Sequence, residues 1–145
     1  MAPQARYSSS TRVFIDTNVL VYGDDAAYPE KQSTALDLIE AHLLRQTGVI
    51  SIQVLQEYFV NTTRKLGLDH SFAKSKIEIF AKFKVIVPDV TDVLAAVDLH
   101  RLNNTSYWDA LILRCAKQGV CSVLLSEDMR HGQVIDGVRI VNPFI

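Results

Sequence analysis

The sequence lacks the features that mark secreted, membrane and strongly nucleic-acid-coating proteins. Its two cysteines, Cys115 and Cys121, have neither zinc spacing nor a CxxC pattern, which favours reduced thiols in the core. Its apolar runs are far too short to span a bilayer, and no charged-then-apolar signal sequence opens the chain. The net charge of -1 excludes a polybasic tail, although a local basic face stays possible. These absences predict a cytoplasmic protein without a membrane anchor.

The apolar residues that are present suffice for one globular domain. Hydrophobic residues make up 48% of the 145 residues, and no repeat, linker or low-complexity stretch divides the chain. Residues 1–11 are small and polar, which predicts a disordered tail. We therefore expect a single domain over residues 12–145.

Short apolar strands alternate with amphipathic helices along this domain. Strands are predicted at residues 12–16, 49–50, 84–87 and 122–126, with a weaker one at 138–141. Helices are predicted at residues 29–46, 51–66, 71–83 and 106–117, and one more begins at Thr91 or Asp92. Because the first strand is continuously apolar, as central parallel strands are, we expect a three-layer α/β/α fold. Its sheet would be mostly parallel, with four to five short strands.

Four acidic residues are candidates for a site at the carboxyl edge of this sheet, where open α/β sheets bind ligands. Asp16 ends the first strand and Asp128 follows the fourth, but each can also be a helix cap or an Asx turn. Glu57 lies on the flank of an apolar helix face, where it either reaches solvent or points into a polar site. Asp109 begins a largely apolar helix, and its alternative role is a capping box with Ser106.

Convergence of four carboxylates on one edge would require a cation. Two charges about 5 Å apart at an effective dielectric near 20 repel each other by roughly 3 kcal/mol. The candidates include no cysteine or histidine pair, and an all-oxygen ligand set suits Mg²⁺ or Mn²⁺. The chemistry that this predicts is metal-assisted attack of water on a phosphodiester.

Other function classes explain less of the sequence. A haloacid-dehalogenase-like phosphatase needs a second aspartate two residues after the first, where this chain has Asn18, and no glycine-rich phosphate loop is present. A catalytically silent binding module could keep the acids for one metal or for a partner's arginines. A purely structural domain would leave Glu57 and Asp109 without a role. A metal-dependent ribonuclease assay separates these alternatives.

Four segments occur in an order that one family shares: FIDTNVLVY, SIQVLQEY, SYWDALIL and LLSEDMRHG. They resemble the PIN-domain ribonucleases, and especially the toxins of bacterial VapBC toxin–antitoxin pairs, over residues 12–145. The resemblance implies a Mg²⁺- or Mn²⁺-dependent endoribonuclease whose products carry a 5′-phosphate and a 3′-hydroxyl. It also implies a homodimer formed through helices, and a small antitoxin that places an arginine among the carboxylates. PIN nucleases outside toxin–antitoxin pairs are the alternative.

The same resemblance assigns roles to individual residues. Asp16 would be the central metal ligand, Glu57 and Asp109 would complete the first metal site, and Asp128 would serve a second one. Small polar side chains would support the metal and its water: Thr17, Asn18 and Ser126. Either Asp128 or its neighbour Glu127 faces the site, and the S-E-D pattern favours Asp128.

Basic residues near these acids are candidates for phosphate contacts with RNA. Arg64 and Lys65 follow Glu57 by about two turns of one helix, and Arg130 and His131 follow Asp128. Each can equally belong to a solvated surface. No aromatic platform for single-stranded RNA is evident, because four aromatic residues are interpreted as core or dimer packing: Tyr58, Phe59, Phe80 and Phe83.

Overall fold

Strands and helices alternate along the computed structural model, which describes residues 6–145. The strands of this part of the chain are β1 (Val13–Ile15), β2 (Gly48–Ser51), β3 (Lys84–Ile86), β4 (Val123–Leu125), β5 (Val134–Ile135) and β6 (Val138–Val141). Its helices are α1 (Thr17–Tyr22), α2 (Pro29–Arg45), α3 (Ile52–Lys65), α4 (His70–Phe80), α5 (Val90–Asn103) and α6 (Tyr107–Gln118). The predicted α/β/α fold is confirmed, with six strands in the described chain rather than four to five.

The strands form one sheet in the order β3-β2-β1-β4-β6-β5. Every neighbouring pair is parallel except β5 and β6, which are antiparallel. The carboxyl ends of β1, β2 and β4 therefore meet at one edge. The chain order reverses between β1 and β4, and such a switch point is where open α/β sheets bind ligands.

The core forms around the central strands because their apolar side chains are covered on both faces. Val13, Phe14 and Ile15 of β1 are completely buried, and so are Leu124 and Leu125 of β4. Helices cover the sheet, with α1 packed against α2 and α3, and α5 packed against α6. A rigid, buried strand thus ends immediately before Asp16, which fixes the position of that residue.

Several element boundaries differ from the sequence-based expectations. Helix α5 begins after Asp89, not at Thr91 or Asp92, because Asp89 and Asp92 form a reciprocal capping box. Ser51 occupies the N-cap position of α3, as expected, but its side chain makes no capping hydrogen bond. The six-residue helix α1 was not predicted.

The N-terminal segment lies partly outside the described residues, which begin at residue 6. Within the described part, the Tyr7 hydroxyl lies 3.0 Å from His42 Nε2, and Arg6 Nη1 donates to the Asn142 carbonyl at 2.7 Å. Arg6 and Tyr7 thus contact the domain, and residues 1–5 of the predicted tail lie outside the described residues. The domain boundary at residue 12 stays a prediction.

Two composition-based expectations concern the cysteines and the membrane. Cys115 and Cys121 are both free and buried, and burial raises the pKa of each thiol to about 12. Within residues 6–145, no helix combines the length and the apolar character needed to cross a bilayer.

Candidate active site

A cleft of about 460 Å³ opens at the carboxyl edge of the sheet. The four acidic residues singled out from the sequence all line it, and each comes from a different element: Asp16 after β1, Glu57 on α3, Asp109 on α6 and Asp128 after β4. The parallel topology therefore brings together carboxylates that are far apart in the sequence. This cleft is the candidate active site.

Asp16 is the most constrained of the four carboxylates. It is buried as the N-cap of α1, where Oδ1 accepts a hydrogen bond of 2.8 Å from the Thr17 backbone amide. Its Oδ2 accepts from the Ser126 hydroxyl at 2.7 Å. Burial raises the pKa of Asp16 to about 6, and the charges of Asp128 and Glu57 act in the same direction against the two hydrogen bonds.

Asn18 links the two aspartates that follow β1 and β4. Its Nδ2 lies 3.3 Å from Asp16 Oδ2 and 3.2 Å from Asp128 Oδ2, so one amide group bridges the two carboxylates. Its Oδ1 accepts a hydrogen bond of 3.1 Å from the Glu127 backbone amide. The asparagine thereby fixes the loop after β4 against α1 and sets the direction of Asp128.

Glu57 reaches the cleft from α3 and is held by two donors. Its Oε1 accepts hydrogen bonds from Thr17 Oγ1 at 3.2 Å and from Gln53 Nε2 at 3.1 Å. The second bond joins residues four apart on one helix, which share a face. Glu57 therefore points into the polar cleft, and the alternative of a boundary glutamate that only reaches solvent does not describe its contacts.

Asp109 lies at the third position of α6, whose N-cap Ser106 accepts a hydrogen bond of 3.1 Å from the Asp109 backbone amide. The reciprocal bond of a capping box, which Asp92 makes in α5, is not formed by Asp109 among the described residues. Burial raises the pKa of Asp109, and the nearby charge of Asp128 adds to the effect against a hydrogen bond from Ser106. The Asp109 carboxylate therefore lies near the charge of Asp128, and it does not complete a capping box.

Glu127 also lines the cleft, but its carboxylate is held by other groups. Tyr22 donates a hydrogen bond of 2.6 Å to its Oε1, and Lys31 lies 2.6 Å from its Oε2. These contacts lower the pKa of Glu127 against the effect of burial. The carboxylate of Asp128 instead accepts a hydrogen bond from Asn18 Nδ2, and its preference over Glu127 as the site residue stays a prediction.

The basic candidates fall into different places. Lys65 lines the cleft, whereas Arg64 does not. Arg130 lines a smaller pocket next to the cleft. His131 lines neither, and its Nδ1 accepts a hydrogen bond of 3.0 Å from the Asn142 backbone amide. The structure therefore separates Lys65 and Arg130 from Arg64 and His131 as candidate RNA contacts.

Sequence reasoning missed the aromatic wall of the cleft. Tyr22, Tyr28 and Trp108 line it, and the last two are 52% and 62% exposed. Trp108 was missed because an aromatic residue at the start of an apolar helix is expected to be buried in the core, whereas its side chain is exposed. The adjacency of Trp108 to Asp109 was the available signal.

The donor chemistry of the cleft fits a hard divalent ion. The groups in the cleft that could bind a metal ion are carboxylates. A Mg²⁺ ion keeps several of its water ligands and needs only one or two protein carboxylates. Gln53 Oε1 is buried beside Glu57 without a hydrogen-bond partner in the described chain, so it could accept from a metal-bound water. Over residues 6–145, however, no three His, Cys, Asp or Glu side chains are arranged as a ready metal site. Protein donors hold Asp16 and Glu57 instead.

The fold and the cleft define an α/β protein with an acidic site at the switch point of a mostly parallel sheet. The sequence comparison identifies its family. The family model described as "PIN domain" matches residues 13–136. The chain belongs to the PIN domain family. No curated protein sequence matches the chain significantly.

Solved structures share the fold at low sequence identity. A toxin–antitoxin complex from Klebsiella pneumoniae contains a chain that is 19% identical, with a TM-score of 0.66, and the match covers 90% of this chain and 97% of that one. The sarcin–ricin-loop-cleaving toxin VapC20 of Mycobacterium tuberculosis is also 19% identical, with a TM-score of 0.65 and coverage of 80% and 91%.

Proposed function

We propose that this PIN-domain protein is a Mg²⁺- or Mn²⁺-dependent endoribonuclease and the toxin of a type II toxin–antitoxin pair. The observation that carries the nuclease proposal is the meeting of Asp16, Glu57, Asp109 and Asp128 in one cleft at the switch point of the sheet. Such a set of carboxylates is stable together at neutral pH when a cation offsets its charge.

The ion would be held by carboxylate oxygens of Asp16, Asp109 and Glu57, with Asp128 contributing to a second position. PIN domains generally use divalent metal ions. A bound ion supplies Lewis acidity, which lowers the pKa of a water nucleophile and stabilises charge on a phosphodiester. Both oxygens of Asp16 already accept hydrogen bonds, so metal binding would use their remaining lone pairs or displace a donor such as Asn18.

The chain's own polar residues would prepare the carboxylates for this task. Ser126 donates a hydrogen bond to Asp16, Thr17 donates one to Glu57, and Asn18 donates one to Asp128. Hydrogen bonds to the charged form of a carboxylate favour that form, which opposes the effect of burial on Asp16. These three residues would act through the ligands and not on the RNA.

The cleft walls favour RNA whose bases are unstacked. Lys65 offers a positive charge to a phosphate, and Trp108 and Tyr28 are exposed aromatic side chains against which a base can stack. A duplex presents no free base face to such rings. We therefore infer single-stranded RNA as the form that enters the cleft.

The toxin assignment rests on the two structural neighbours, one described as a toxin–antitoxin complex and the other as a toxin. By this proposal a small antitoxin would cover the acidic cleft, with an arginine whose guanidinium pairs with two carboxylates. A cytoplasmic homodimer is part of the same proposal. The alternative is a PIN nuclease that acts outside a toxin–antitoxin pair.

The experiment that tests the nuclease proposal compares wild-type protein with Asp16→Asn and Asp37→Asn on total RNA in Mn²⁺, Mg²⁺ or EDTA. Asp37 is exposed on α2 and lines neither pocket, so it is the matched control for the same chemical change. We expect cleavage by wild type and Asp37→Asn with metal, and none by Asp16→Asn or in EDTA. New ends should carry 5′-phosphates. Full activity of Asp16→Asn would overturn the assignment of the site.

A further inference from the structure

A second pocket of about 260 Å³ adjoins the acidic cleft and shares Asp109 and Asp128 with it. One wall is the turn between α5 and α6, with Asn104 and Thr105, and the other is the loop after β4, with Arg130 and Gln133. We call this the amide pocket. Its apolar lining residues are Met129 and two buried members of the core, Ile135 and Ile140.

The hydrogen-bonding groups of the amide pocket are not all used by the protein. Asn103 Nδ2 donates to the Leu99 carbonyl at 3.0 Å, and Ser106 Oγ accepts from the Asp109 amide, so these two residues serve the fold. The side-chain amides of Asn104 and Gln133 have no hydrogen-bond partner within residues 6–145; Asn104 is exposed at the rim of the pocket, and Gln133 is half-buried. A half-buried amide without a partner carries two donors and one acceptor that a ligand can satisfy.

We propose that the amide pocket binds one base of the RNA strand, next to the phosphate that lies over Asp109 and Asp128, and that Asn104 and Gln133 recognise its edge. The proposal rests on the proposed nuclease function. Asparagine and glutamine amides present a donor and an acceptor together, which is the pattern needed for paired hydrogen bonds to a base edge. Sequence-specific RNA recognition uses the edges of unstacked bases in the same way.

The position of the pocket determines which base it reads. Because both pockets share Asp109 and Asp128, a strand that crosses these carboxylates has the aromatic wall with Trp108 on one side and the amide pocket on the other. Arg130, which is exposed at the pocket, supplies a cation for the phosphate of the bound nucleotide. The two sides would therefore contribute differently: stacking tolerates any base, whereas the amides select one.

The test is the base preference of cleavage on a single-stranded RNA with a randomised central segment, with Mn²⁺ and sequencing of the new ends. The variants are Gln133→Ala, Asn104→Ala and the double variant, compared with Gln56→Ala, an exposed glutamine on α3 that lines neither pocket. We expect wild type and Gln56→Ala to prefer one base at one position adjoining the cut. In the double variant, the ratio of cuts at the preferred base to cuts at other bases should be about tenfold lower, because a paired amide–base contact discriminates by about that factor or more.

The possible results separate the amide-pocket proposal from the nuclease proposal on which it rests. A double variant whose remaining cuts show a relaxed preference at that single position supports the amide pocket, whatever its total rate. Unchanged preference in the double variant, or no preference at adjoining positions in wild type, overturns the pocket and leaves the nuclease proposal standing. Absence of metal-dependent cleavage by wild type overturns the nuclease proposal itself. Circular dichroism of each variant checks that a lost preference does not reflect unfolding.

Discussion

The Ser126 hydroxyl donates a hydrogen bond of 2.7 Å to Asp16 Oδ2, and this bond ties the carboxyl ends of β1 and β4 together. The two strands are neighbours at the point where the chain order of the sheet reverses. Both residues are buried, so the bond lies in a medium of low dielectric, where it is stronger than at the surface. The carboxylate of Asp16 is therefore held in position before any ligand arrives.

Burial of this carboxylate predicts a stability penalty at neutral pH. The pKa of Asp16 is raised to about 6 in the fold, so the native state binds a proton more tightly than the unfolded chain. The free energy of unfolding should then fall as pH rises from about 4 to 6, by about 3 kcal/mol from this group. In EDTA, Asp16→Asn should remove this decline and be more stable than wild type at pH 7.5.

Urea denaturation at pH 4.5 and pH 7.5 measures the effect. Ser126→Ala provides the opposite comparison, because loss of its hydrogen bond raises the pKa of Asp16 further and should steepen the decline. Asp37→Asn should resemble wild type. Equal pH dependence in wild type and Asp16→Asn would show that the charge of Asp16 is not penalised in the fold.

Divalent metal should reverse that penalty. Ions that bind only the folded protein raise its melting temperature, and binding requires deprotonated carboxylates. We expect millimolar Mn²⁺ to raise the melting temperature of wild type and Asp37→Asn at pH 7.5. The rise should be smaller at pH 5, where Asp16 is largely protonated. A similar rise in Asp16→Asn would place the ion elsewhere.

The α/β/α architecture could be predicted from the sequence because the central strands are continuously apolar. The continuously apolar run of Val13, Phe14 and Ile15 is typical of a central parallel strand that is buried on both faces, and such a strand places Asp16 at the carboxyl edge of the sheet. The same logic brought Asp128 to that edge. The positions of Glu57 and Asp109 in one cleft depended on helix phase, and the family resemblance was needed to assign their roles.

The shortest elements were not predictable from hydrophobic periodicity. Helix α1 has six residues and strand β5 has two, which is shorter than the stretches of about 11 helical or about 4 strand residues over which periodicity can be recognised. A different signal was present for β5: Asp136 and Gly137 form its turn to β6, with φ of 52° and 81°. Asp-Gly favours such a two-residue hairpin, so turn chemistry would have revealed the sixth strand.

Contacts between distant side chains account for the features that the sequence left open or missed. The choice between Glu127 and Asp128 depends on Lys31, which lies on α2 and pairs with Glu127. Nothing in the sequence around Glu127 indicates that partner. The exposure of Trp108 similarly depends on how α6 meets the cleft and not on its own apolar neighbours.

The neighbours Glu127 and Asp128 should respond differently to loss of charge. Asp128→Asn removes a carboxylate that Asn18 directs to the cleft, and we expect metal-dependent RNA cleavage to fall at least tenfold. Glu127→Gln keeps an acceptor for Tyr22 but loses the ion pair with Lys31, so cleavage should stay within a fewfold of wild type. Cleavage rates at saturating Mn²⁺ measure both. The reverse order of effects would make Glu127 the ligand.

Lys65 and Arg64 provide a matched pair on one helix. Lys65 lines the cleft and Arg64 does not, so Lys65→Ala should weaken binding of single-stranded RNA more than Arg64→Ala. Loss of one phosphate contact should reduce the slope of log affinity against log salt by about 0.7. Binding to the inactive Asp16→Asn protein at several salt concentrations measures this slope. A slope that Lys65→Ala leaves unchanged would assign Lys65 to the solvated surface.

Trp108 should report RNA binding directly, because it is the sole tryptophan of the chain and lines the cleft beside Asp109. Single-stranded RNA added to Asp16→Asn should quench its fluorescence as a base stacks on the exposed ring. A duplex of the same sequence should quench it less. Trp108→Ala should weaken binding of single-stranded RNA by about 1–3 kcal/mol, the usual contribution of one stacked base.

Phe72→Ala is the control for that loss, since Phe72 is an exposed aromatic residue on α4 that lines neither pocket. Its affinity for RNA should equal that of the parent protein, and both variants are compared by the fluorescence anisotropy of labelled RNA because Trp108→Ala contains no tryptophan. Equal quenching by duplex and single strand would mean that the ring senses a nearby phosphate charge and not a stacked base. In that case, Trp108→Ala would leave the affinity for single-stranded RNA unchanged. Any preference for unstacked RNA would then have to arise from the amide pocket.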